Sequence, residues 1–463
     1  MRPNPMQRRQ PVMSMLILLC LSTLSFAQEE SKEVLQPPSV MPNITEKQPD
    51  PEQTQSETGY DLPSDPVSHM VSVPLENQPC ESVFSPCAPP LRIWTGDAEF
   101  LFWFIDNEKA PLPLASTVPC VTPAGCDPTV SGANLQSDFF FEDRPLSGAR
   151  FTVGYWLEVD KDQVLKYSPV FRATGVEAIG FFLAERSINF QLDSQTLSRP
   201  FFGLNDAPLP AFPVAAPGAA TGTIFGTANI DLWGMEANGW KNVFNNSPGQ
   251  TIRIDVMGGL RNLNMNSSLN IRSTTLYNTD LAAFPVLAGF EGNRIDVSDN
   301  FQTSNTFIGA QAGFNISYIT SCFIVSSAFK LGLGAMHQQL DVAGTQLRTF
   351  PTGATTTSDG GLLALPSNSG RFERTKIGLV PEVDVKFEFP IGHRCMCFFG
   401  YSFLGMSNVI RPAAQIDPVL NVNQIPNFPT SGTGSLSPGR PKATLNDEFL
   451  FIHGLNVGAR LTW

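Results

Sequence analysis

The segment FLFIHGLNVGARLTW, residues 449–463, indicates the fold more directly than any other part of the chain. Every second residue from Phe449 onward is apolar or small, with His453 as the one exception, and the intervening residues from Asn456 onward are polar, small or charged. An alternation with a period of two predicts a β-strand. Since a tilted strand of about 9–11 residues crosses a bilayer, this segment is long enough to span a membrane.

A membrane-spanning strand predicts a closed barrel, because closure is what satisfies every backbone N–H and C=O group of β-structure in lipid. Outside residues 12–24, no apolar run approaches the roughly 18 residues that a transmembrane helix needs. The aromatic end of the strand resembles the terminal signal of bacterial outer-membrane barrels. We therefore expect Leu461 and Trp463 to form a C-terminal assembly signal, with outer-membrane lipid and the barrel-assembly machinery as partners.

The N-terminal part of the sequence predicts export. A basic start, an apolar run over residues 12–24 and the Ser-Phe-Ala site at 25–27 predict a signal peptide over residues 1–27. Residues 28–91 are acidic and rich in Pro, Glu and Gln, which predicts a disordered linker. The remaining residues, 92–463, form the predicted barrel domain.

Composition and cysteine spacing limit the classes of function. The net charge of −12 argues against a nucleic-acid partner, which needs a basic surface. Scattered histidines and the lack of a CxxC motif predict neither a metal site nor a cofactor. Export would leave seven of the eight cysteines in the mature chain, an odd number. Two close pairs are candidates for disulfides in an oxidising compartment, and the other three cysteines are predicted to lie in strands: Cys80 with Cys87, Cys120 with Cys126, then Cys322, Cys395 and Cys397.

The strand pattern repeats from Trp94 to the end of the chain in about ten segments, each with an uncharged apolar face and most with a charged opposite face. Apolar-out, polar-in alternation is typical of a transmembrane β-barrel, and so are long connections alternating with short turns. One long connection is predicted at residues 262–300, after a fifth strand that runs from Ile252 to Leu260. A soluble β-sandwich is the alternative, but its strands are usually about 5–6 residues long. Twelve strands result if Ser268–Leu276 forms an additional hairpin. The fold class is therefore an all-β, closed antiparallel transmembrane β-barrel of about ten strands, twelve in the alternative.

Three details of the strand pattern concern which face points outward and where pairing begins. The fourth segment is predicted to turn Ala228, Ile230 and Leu232 toward lipid. Residues 395–404 are apolar on both faces, so their register stays open. Pro381 falls inside the eighth strand, where it removes a ladder hydrogen bond, unless a bulge forms there or pairing starts after it. Four aromatic residues are expected at the membrane interfaces: Trp94, Tyr155, Trp240 and Trp463.

Several segments resemble the putative β-barrel porin-7 family of outer-membrane proteins. The resemblance covers residues 92–463 and implies an outer-membrane barrel, without implying a substrate or catalytic residues. The segments that carry it, in family order, are WTGDAEFLFWF (94–104), GARFTVGYWLE (148–158), TANIDLWGMEAN (227–238), DNFQTSNTFIGAQAGF (299–314), VPEVDVKFEF (380–389), FFGYSFLGMSNVIRPAAQID (398–417) and HGLNVGARLTW (453–463).

The barrel interior is the candidate site. About eight strands leave a lumen filled by side chains, whereas water-filled porins use about 16–18. The predicted lumen-facing charges are of both signs, which favours internal pairing over a channel of one sign: Arg150, Glu158, Arg253, Asp255, Lys330, Glu382, Lys386, Glu388 and Arg460.

These residues support two hypotheses about function. The first, which we favour from the sequence, is a narrow, porin-like passive channel for small solutes. The second is a structural or adhesive outer-membrane protein with a plugged barrel and exposed binding loops. We do not expect an enzyme, because no histidine has a nucleophile or acidic partner at a suitable spacing.

Overall fold

In the computed structural model, ten long strands form one ring. The residues that the structure describes are 94–108, 110–117, 135–136, 145–159, 172–204, 211–246, 251–320, 322–392, 394–428 and 435–463. We number the ring strands in chain order: β1 Trp94–Ile105, β2 Leu146–Val159, β3 Arg172–Asp193, β4 Ala220–Asn246, β5 Thr251–Tyr277, β6 Arg294–Ile319, β7 Ile324–Thr349, β8 Gly370–Pro390, β9 Cys395–Val409 and β10 Glu448–Thr462.

Each ring strand pairs antiparallel with its neighbours in sequence, and β1 pairs with β10 to close the ring. Gly96 lies opposite Leu461 in that last pairing, so the C-terminal strand is a full member of the barrel. The prediction of an all-β barrel of ten strands is confirmed. The alternative of twelve strands is wrong, because Ser268–Leu276 continues β5 instead of forming a hairpin.

The two ends of the barrel differ in their connections. Short turns follow β6 and β8, at residues 320–323 and 391–394, at the end that also holds Trp94 and Thr462. The connections at the other end are long, which is the arrangement in which short turns face the periplasm. Short pieces of strand lie in these long connections: Ala115–Ser116, Leu135–Gln136, Leu197–Pro200, Phe202–Gly203, Ala211–Ala215, Thr355–Asp359 and Val419–Leu420. None of the helices among the described residues has the length and apolar character to cross a membrane.

The polarity of the two strand faces inverts along β5. Near the periplasmic end, Val256 and Leu260 point outward, and Leu260 is 67% exposed. Three residues later Leu263 points inward and is 0% exposed. From Asn262 to the extracellular end the outward residues are polar except Leu276. Most inward residues there are apolar, among them Leu263, Met265, Leu269 and Ile271.

The same inversion occurs at a similar height on the neighbouring strands. Toward the periplasmic end of β6, the outward side chains change from the polar Thr306 to the apolar Ile308. The inward side chains change from the apolar Phe307 to the polar Gln311, with Gly309 between them. We call the periplasmic part of the ring the membrane half, and the part beyond the inversion the outer half. Strands of 26–27 residues are far longer than the roughly 9–11 needed to cross a bilayer, so the outer half extends beyond the membrane.

This inversion explains two wrong predictions. In β4, Ala228, Ile230 and Leu232 are buried inside the ring rather than exposed to lipid, because they belong to the outer half. The segment 262–300, predicted as a loop, is mostly strand: β5 runs to Tyr277 and β6 starts at Arg294. Its outward face of Asn, Ser and Thr lacks the apolar signal of a membrane strand.

The remaining details concern β8, β9 and one cysteine. Pro381 lies opposite Leu331 of β7, and the pairing of β8 with β9 begins one residue later, at Glu382. Pairing therefore starts after this proline on the β9 side, while the pairing with β7 continues through it without a bulge. In β9, Phe399 points outward and Phe398 inward. This establishes the register of residues 395–404, which the sequence left undecided. The prediction that Cys322 lies in a strand is wrong, because it lies in the turn between β6 and β7.

Candidate functional site

Eight charged side chains meet inside the membrane half, just below the polarity inversion. We call them the central ion-pair layer, and they are Glu99, Arg150, Glu236, Arg261, Lys330, Glu382, Asp384 and Lys386. Four are acidic and four are basic, so the layer is formally neutral. They come from β1, β2, β4, β5, β7 and β8 and reach the barrel axis because they share the inward parity of their strands.

Two cations connect two carboxylates in the centre of this layer. The Arg261 guanidinium is 2.6 Å from Glu236 and also contacts Glu382. The Lys330 ammonium lies 3.1 Å from Glu236 and 3.3 Å from Glu382. Gln311 donates a further hydrogen bond of 2.9 Å to Glu236. Each carboxylate is thus shared by two cations, which offsets the cost of holding these charges away from water.

Arg150 joins the layer to the region above it. Its guanidinium is 3.1 Å from Asp384 and lies 5.2 Å from the ring centroid of Trp103. A chain of hydrogen bonds rises from Asp384 through Ser402 and Asn456 to Trp103, whose indole N–H donates to Asn456 at 3.0 Å. Buried polar groups of β1, β8, β9 and β10 therefore satisfy one another where the polar and apolar parts of the interior meet.

A cavity of about 290 Å³ opens below the layer, at the periplasmic end. Arg460 holds Asp97 with two hydrogen bonds of 2.8 Å and donates another, of 2.7 Å, to Glu388. Arg253 pairs with Asp255 at 2.8 Å. Most charges that line the cavity are therefore also paired with the opposite sign, whereas Glu177 accepts a hydrogen bond of 3.0 Å from the amide of Asn238.

Above the layer, the interior is filled with apolar side chains. We call this the apolar outer core, and its strand residues include Leu101, Leu232, Leu263, Met265, Leu269, Ile271, Phe301, Phe307, Met336, Leu340, Leu404 and Ile452. Phe307 packs at its lower boundary against Gly378, where a Cβ atom would come within 3.2 Å of the ring. Close packing of this kind leaves little space for water.

Two long connections fold into this core and are held by polar residues of β6. Asp299 accepts hydrogen bonds of 2.8–2.9 Å from three consecutive backbone N–H groups, those of residues 362–364, and pairs with Arg199 at 2.6 Å. Asn305 exchanges two hydrogen bonds of 2.8 Å with the backbone of Ile410. These contacts position Leu362–Leu365 and Ile410 inside the extracellular end of the barrel.

The structure places most of the predicted lumen residues on the inner face. Eight of the nine face the barrel interior: Arg150, Arg253, Asp255, Lys330, Glu382, Lys386, Glu388 and Arg460. The ninth, Glu158, belongs to β2, but its side chain lies outside the described part. The candidate disulfide cysteines Cys80, Cys87, Cys120 and Cys126 also lie outside the described residues.

Two central residues escaped sequence reasoning. Arg261 shares the inward parity of Arg253 and Asp255, but the predicted strand stopped at Leu260. Glu236 shares the strand face of Ala228, Ile230 and Leu232, which the sequence pattern predicted to meet lipid. The interface prediction was wrong for Trp240, which lines the internal cavity, whereas Trp94 and Trp463 are exposed at the periplasmic rim.

The described histidines do not approach the interior. His453 and the hydroxyl of Tyr401 are 2.7 Å apart on the outer surface, and the ring of His453 stacks on Phe104. His337 contacts the hydroxyl of Thr375, also on the outside. In the described part of the chain, no group of three or more His, Cys, Asp or Glu residues is arranged to hold a metal ion.

Comparison with known proteins agrees with this architecture. The model of the family described as Putative beta barrel porin-7 matches residues 94–463. The chain belongs to this family. Its members are barrel proteins of the outer membrane, and that membrane is where this protein is located. No curated protein matches the sequence.

Solved structures with a similar trace are outer-membrane proteins. The outer membrane protease OmpT from Escherichia coli is 7% identical, with 81% of this chain and 98% of that chain covered and a TM-score of 0.37. The CymD monoaromatic hydrocarbon channel is 6% identical over 81% of this chain and 89% of that chain, with a TM-score of 0.16. At TM-scores this low, neither structure indicates the activity of this protein.

Proposed function

We propose that this protein is a closed, non-conducting outer-membrane barrel that anchors a structural or adhesive outer half at the cell surface. The apolar outer core carries the proposal, because it fills the interior on the extracellular side of the central ion-pair layer. An ion passing through it would lose its water and meet mainly apolar side chains, because the buried Asp299 and Asn305 are already hydrogen-bonded to the backbone of the long connections. Moving a charge into such a medium costs on the order of tens of kcal/mol.

The outer surface supports a role in contacts outside the membrane. Most outward side chains of β4, β5 and β6 in the outer half are Asn, Asp, Ser, Thr and Gln, and many bond across strands, as Asn266 does to Asp231 at 3.0 Å. The long connections lie at the same end and present the most variable kind of surface for binding. We retain outer-membrane lipid and the barrel-assembly machinery as proposed partners.

A narrow passive channel for small solutes is the competing function. The polar cavity at the periplasmic end favours it, since this is where a solute would enter. Against it stand the ion pairs that engage most of the inner charges, and the apolar core above them. We propose no enzyme activity, and membership of a porin family supports that proposal.

Single-channel recording in planar bilayers distinguishes the two functions. The protein, shown to be folded by the mobility shift of heated and unheated samples on SDS gels, is expected to give no discrete current steps. Regular ion steps from folded protein would overturn the closed barrel. A matched variant replaces residues 360–369 with a short Gly-Ser linker. Current in that variant alone would show that the buried loop contributes to closure.

Labelling of intact cells tests the orientation separately. Gln302 and Ala312 both point outward on β6, but on opposite sides of the inversion. We expect a membrane-impermeant maleimide to modify the Gln302→Cys variant and to leave Ala312→Cys unmodified. Equal labelling of both variants would contradict the proposed position of the membrane.

A further inference from the structure

The inner wall of β2, β3 and β4 brings two indole rings together below the central ion-pair layer. Gly175 of β3 lies opposite Trp156 of β2 on one side and opposite Trp240 of β4 on the other. Both tryptophans line the periplasmic cavity. A Cβ atom at Gly175 would come within 2.6 Å of the Trp156 ring, so glycine allows this ring to lean over β3. Neighbouring strands are about 4.8 Å apart, which places the two tryptophan backbones about 10 Å from each other.

Glu177 lies two residues further along β3, about 7 Å deeper in the same cavity. One of its carboxylate oxygens accepts the hydrogen bond of 3.0 Å from Asn238, which also donates to Glu236 of the central ion-pair layer at 3.2 Å. Among the charged residues that line the cavity in the described part of the chain, Glu177 alone forms no ion pair. A carboxylate withdrawn from bulk water is stabilised by a cation, so this site lacks a positive partner.

The charge and the aromatic character of the cavity wall favour an organic cation. Below the central ion-pair layer, the described lining residues carry four negative charges and two positive ones: Asp97, Glu177, Asp255 and Glu388, with Arg253 and Arg460. This excess of negative charge attracts cations. The Arg253 guanidinium already lies 5.6 Å from the centroid of the Trp156 ring, so this wall accepts a cation beside an indole. Indole rings attract organic ammonium ions in this way, through the negative face of the ring.

We propose that the periplasmic cavity binds one small organic ammonium ion, held by the carboxylate of Glu177 and by the indole rings of Trp156 and Trp240. The cavity volume of about 290 Å³ is at the lower end of the range of ligand sites, about 300–1,000 Å³, so the ion is small. The site goes beyond the closed barrel proposed above. In that barrel the apolar outer core blocks the way onward, so the cavity holds its ligand without passing it across the membrane.

Isothermal titration calorimetry of the folded protein tests the site. The protein is kept in octyl glucoside, a detergent without an ammonium group, and titrated with choline chloride, with sodium chloride as the blank. We expect one choline per protein. Binding of 3,3-dimethyl-1-butanol, which has the shape of choline without its charge, should be weaker by about tenfold or more.

Two results would overturn this site: no choline binding by the folded protein, or equal affinity for choline and the uncharged analogue. Neither result depends on conductance through the barrel. A failure of the ammonium site is therefore distinguishable from a failure of the closed barrel, which single-channel recording measures.

Substitutions assign the binding to the named residues. Glu177→Gln keeps an oxygen for the amide of Asn238 but removes the charge, so it should weaken choline binding about tenfold and leave binding of the uncharged analogue unchanged. Trp240→Leu should weaken choline binding about fivefold, whereas Trp240→Phe should retain most of it, because an aromatic face remains.

Glu185→Gln is the matched control, because it makes the same change on β3 at an exposed position outside the cavity. It should leave choline binding unchanged. The shift between heated and unheated samples on SDS gels shows that each variant is folded. Equal choline affinity of the folded Glu177→Gln and Glu185→Gln variants would show that Glu177 is not the counter-ion and would overturn the proposal.

Discussion

The membrane half and the outer half of the barrel are built from the same strands with opposite polarity. In β5 the apolar side changes from outward at Leu260 to inward at Leu263. In the membrane half the low-polarity surroundings are lipid, so charges occupy the interior. In the outer half water surrounds the barrel, and apolar side chains gain by leaving that water for the interior. The comparison shows that alternation gives each strand an inward and an outward face. Whether lipid or water surrounds the strand decides which of the two faces is apolar.

The two interiors are also stabilised differently. The central ion-pair layer is stable only when complete, because each cation offsets carboxylates that cannot reach water. The apolar outer core consists of many packing contacts that add up one side chain at a time. Removing one charged residue should therefore destabilise its partners in the ion-pair layer as well. Removing one apolar residue should cost only the contacts of that side chain.

Loss of Arg261 is expected to have the largest effect. Arg261→Met leaves Glu236 paired with Lys330 alone, and Glu382 with Lys330 and, at 3.8 Å, Arg150. Breaking a buried ion pair costs about 3–5 kcal/mol, and two affected carboxylates place this variant near the upper value. Denaturant unfolding in lipid vesicles measures the loss. Adding Glu382→Gln to the variant should recover part of it, and an unchanged or lower stability of the double variant would contradict the network.

Truncation in the apolar outer core should come next. Phe301 is fully buried, and Phe301→Ala is expected to lower the free energy of unfolding by about 4 kcal/mol, through lost burial and a residual cavity. Phe314→Ala on the same strand is the control, because Phe314 faces outward in the membrane half. The same denaturant assay compares them, and an equal loss for both would show that the interior of the outer half is not a packed core.

A charge placed on the outer surface of β5 locates the boundary between the membrane half and the outer half more closely. Leu260→Lys places an ammonium on the lipid face, where Lys costs about 2–4 kcal/mol at the bilayer midplane. Asn264→Lys, four residues along β5 on the same face, lies beyond the inversion and should cost no more than about 1 kcal/mol. Folding efficiency into vesicles and denaturant midpoints measure both. Comparable losses would move the boundary toward the extracellular end.

The sequence predicts the membrane half better than the outer half. Uncharged outward faces such as those of β1 and β10 identify ten spanning strands, since a charge in lipid is costly. Alternation alone cannot distinguish a lipid-facing Leu from one in an internal core. Ala228, Ile230 and Leu232 were therefore placed on the wrong side.

The candidate site was predictable in its type but not in its centre. Residues such as Lys330 and Glu382 were found because their strands were recognised with the right parity. Arg261 and Glu236 were missed because one strand was ended too early and another had its faces exchanged. The contacts by which Asp299 and Asn305 hold the long connections were not predicted. These residues lie in or near a segment predicted as a loop, and their partners are remote in sequence.

The smallest expected effect is the pH dependence of the outer half. Glu108 follows β1 and is buried against the connection after β9. Burial raises its pKa to about 7, although Arg411 and the backbone N–H groups of Ala413 and Ala414 act in the opposite direction. Because the folded state then holds a proton more tightly than the unfolded state, raising the pH destabilises the fold.

For a carboxyl with an unfolded pKa near 4.5, about 2 kcal/mol of this loss falls between about pH 5 and pH 7, and the loss levels off above pH 7. Limited proteolysis of the outer half across this range should show faster cleavage as the pH rises. Glu108→Gln should reduce that dependence, whereas Glu291→Gln, at an exposed site in another connection, should retain it. If Glu108→Gln leaves the pH profile unchanged, some other group causes it, and the buried carboxyl does not couple these two connections to pH.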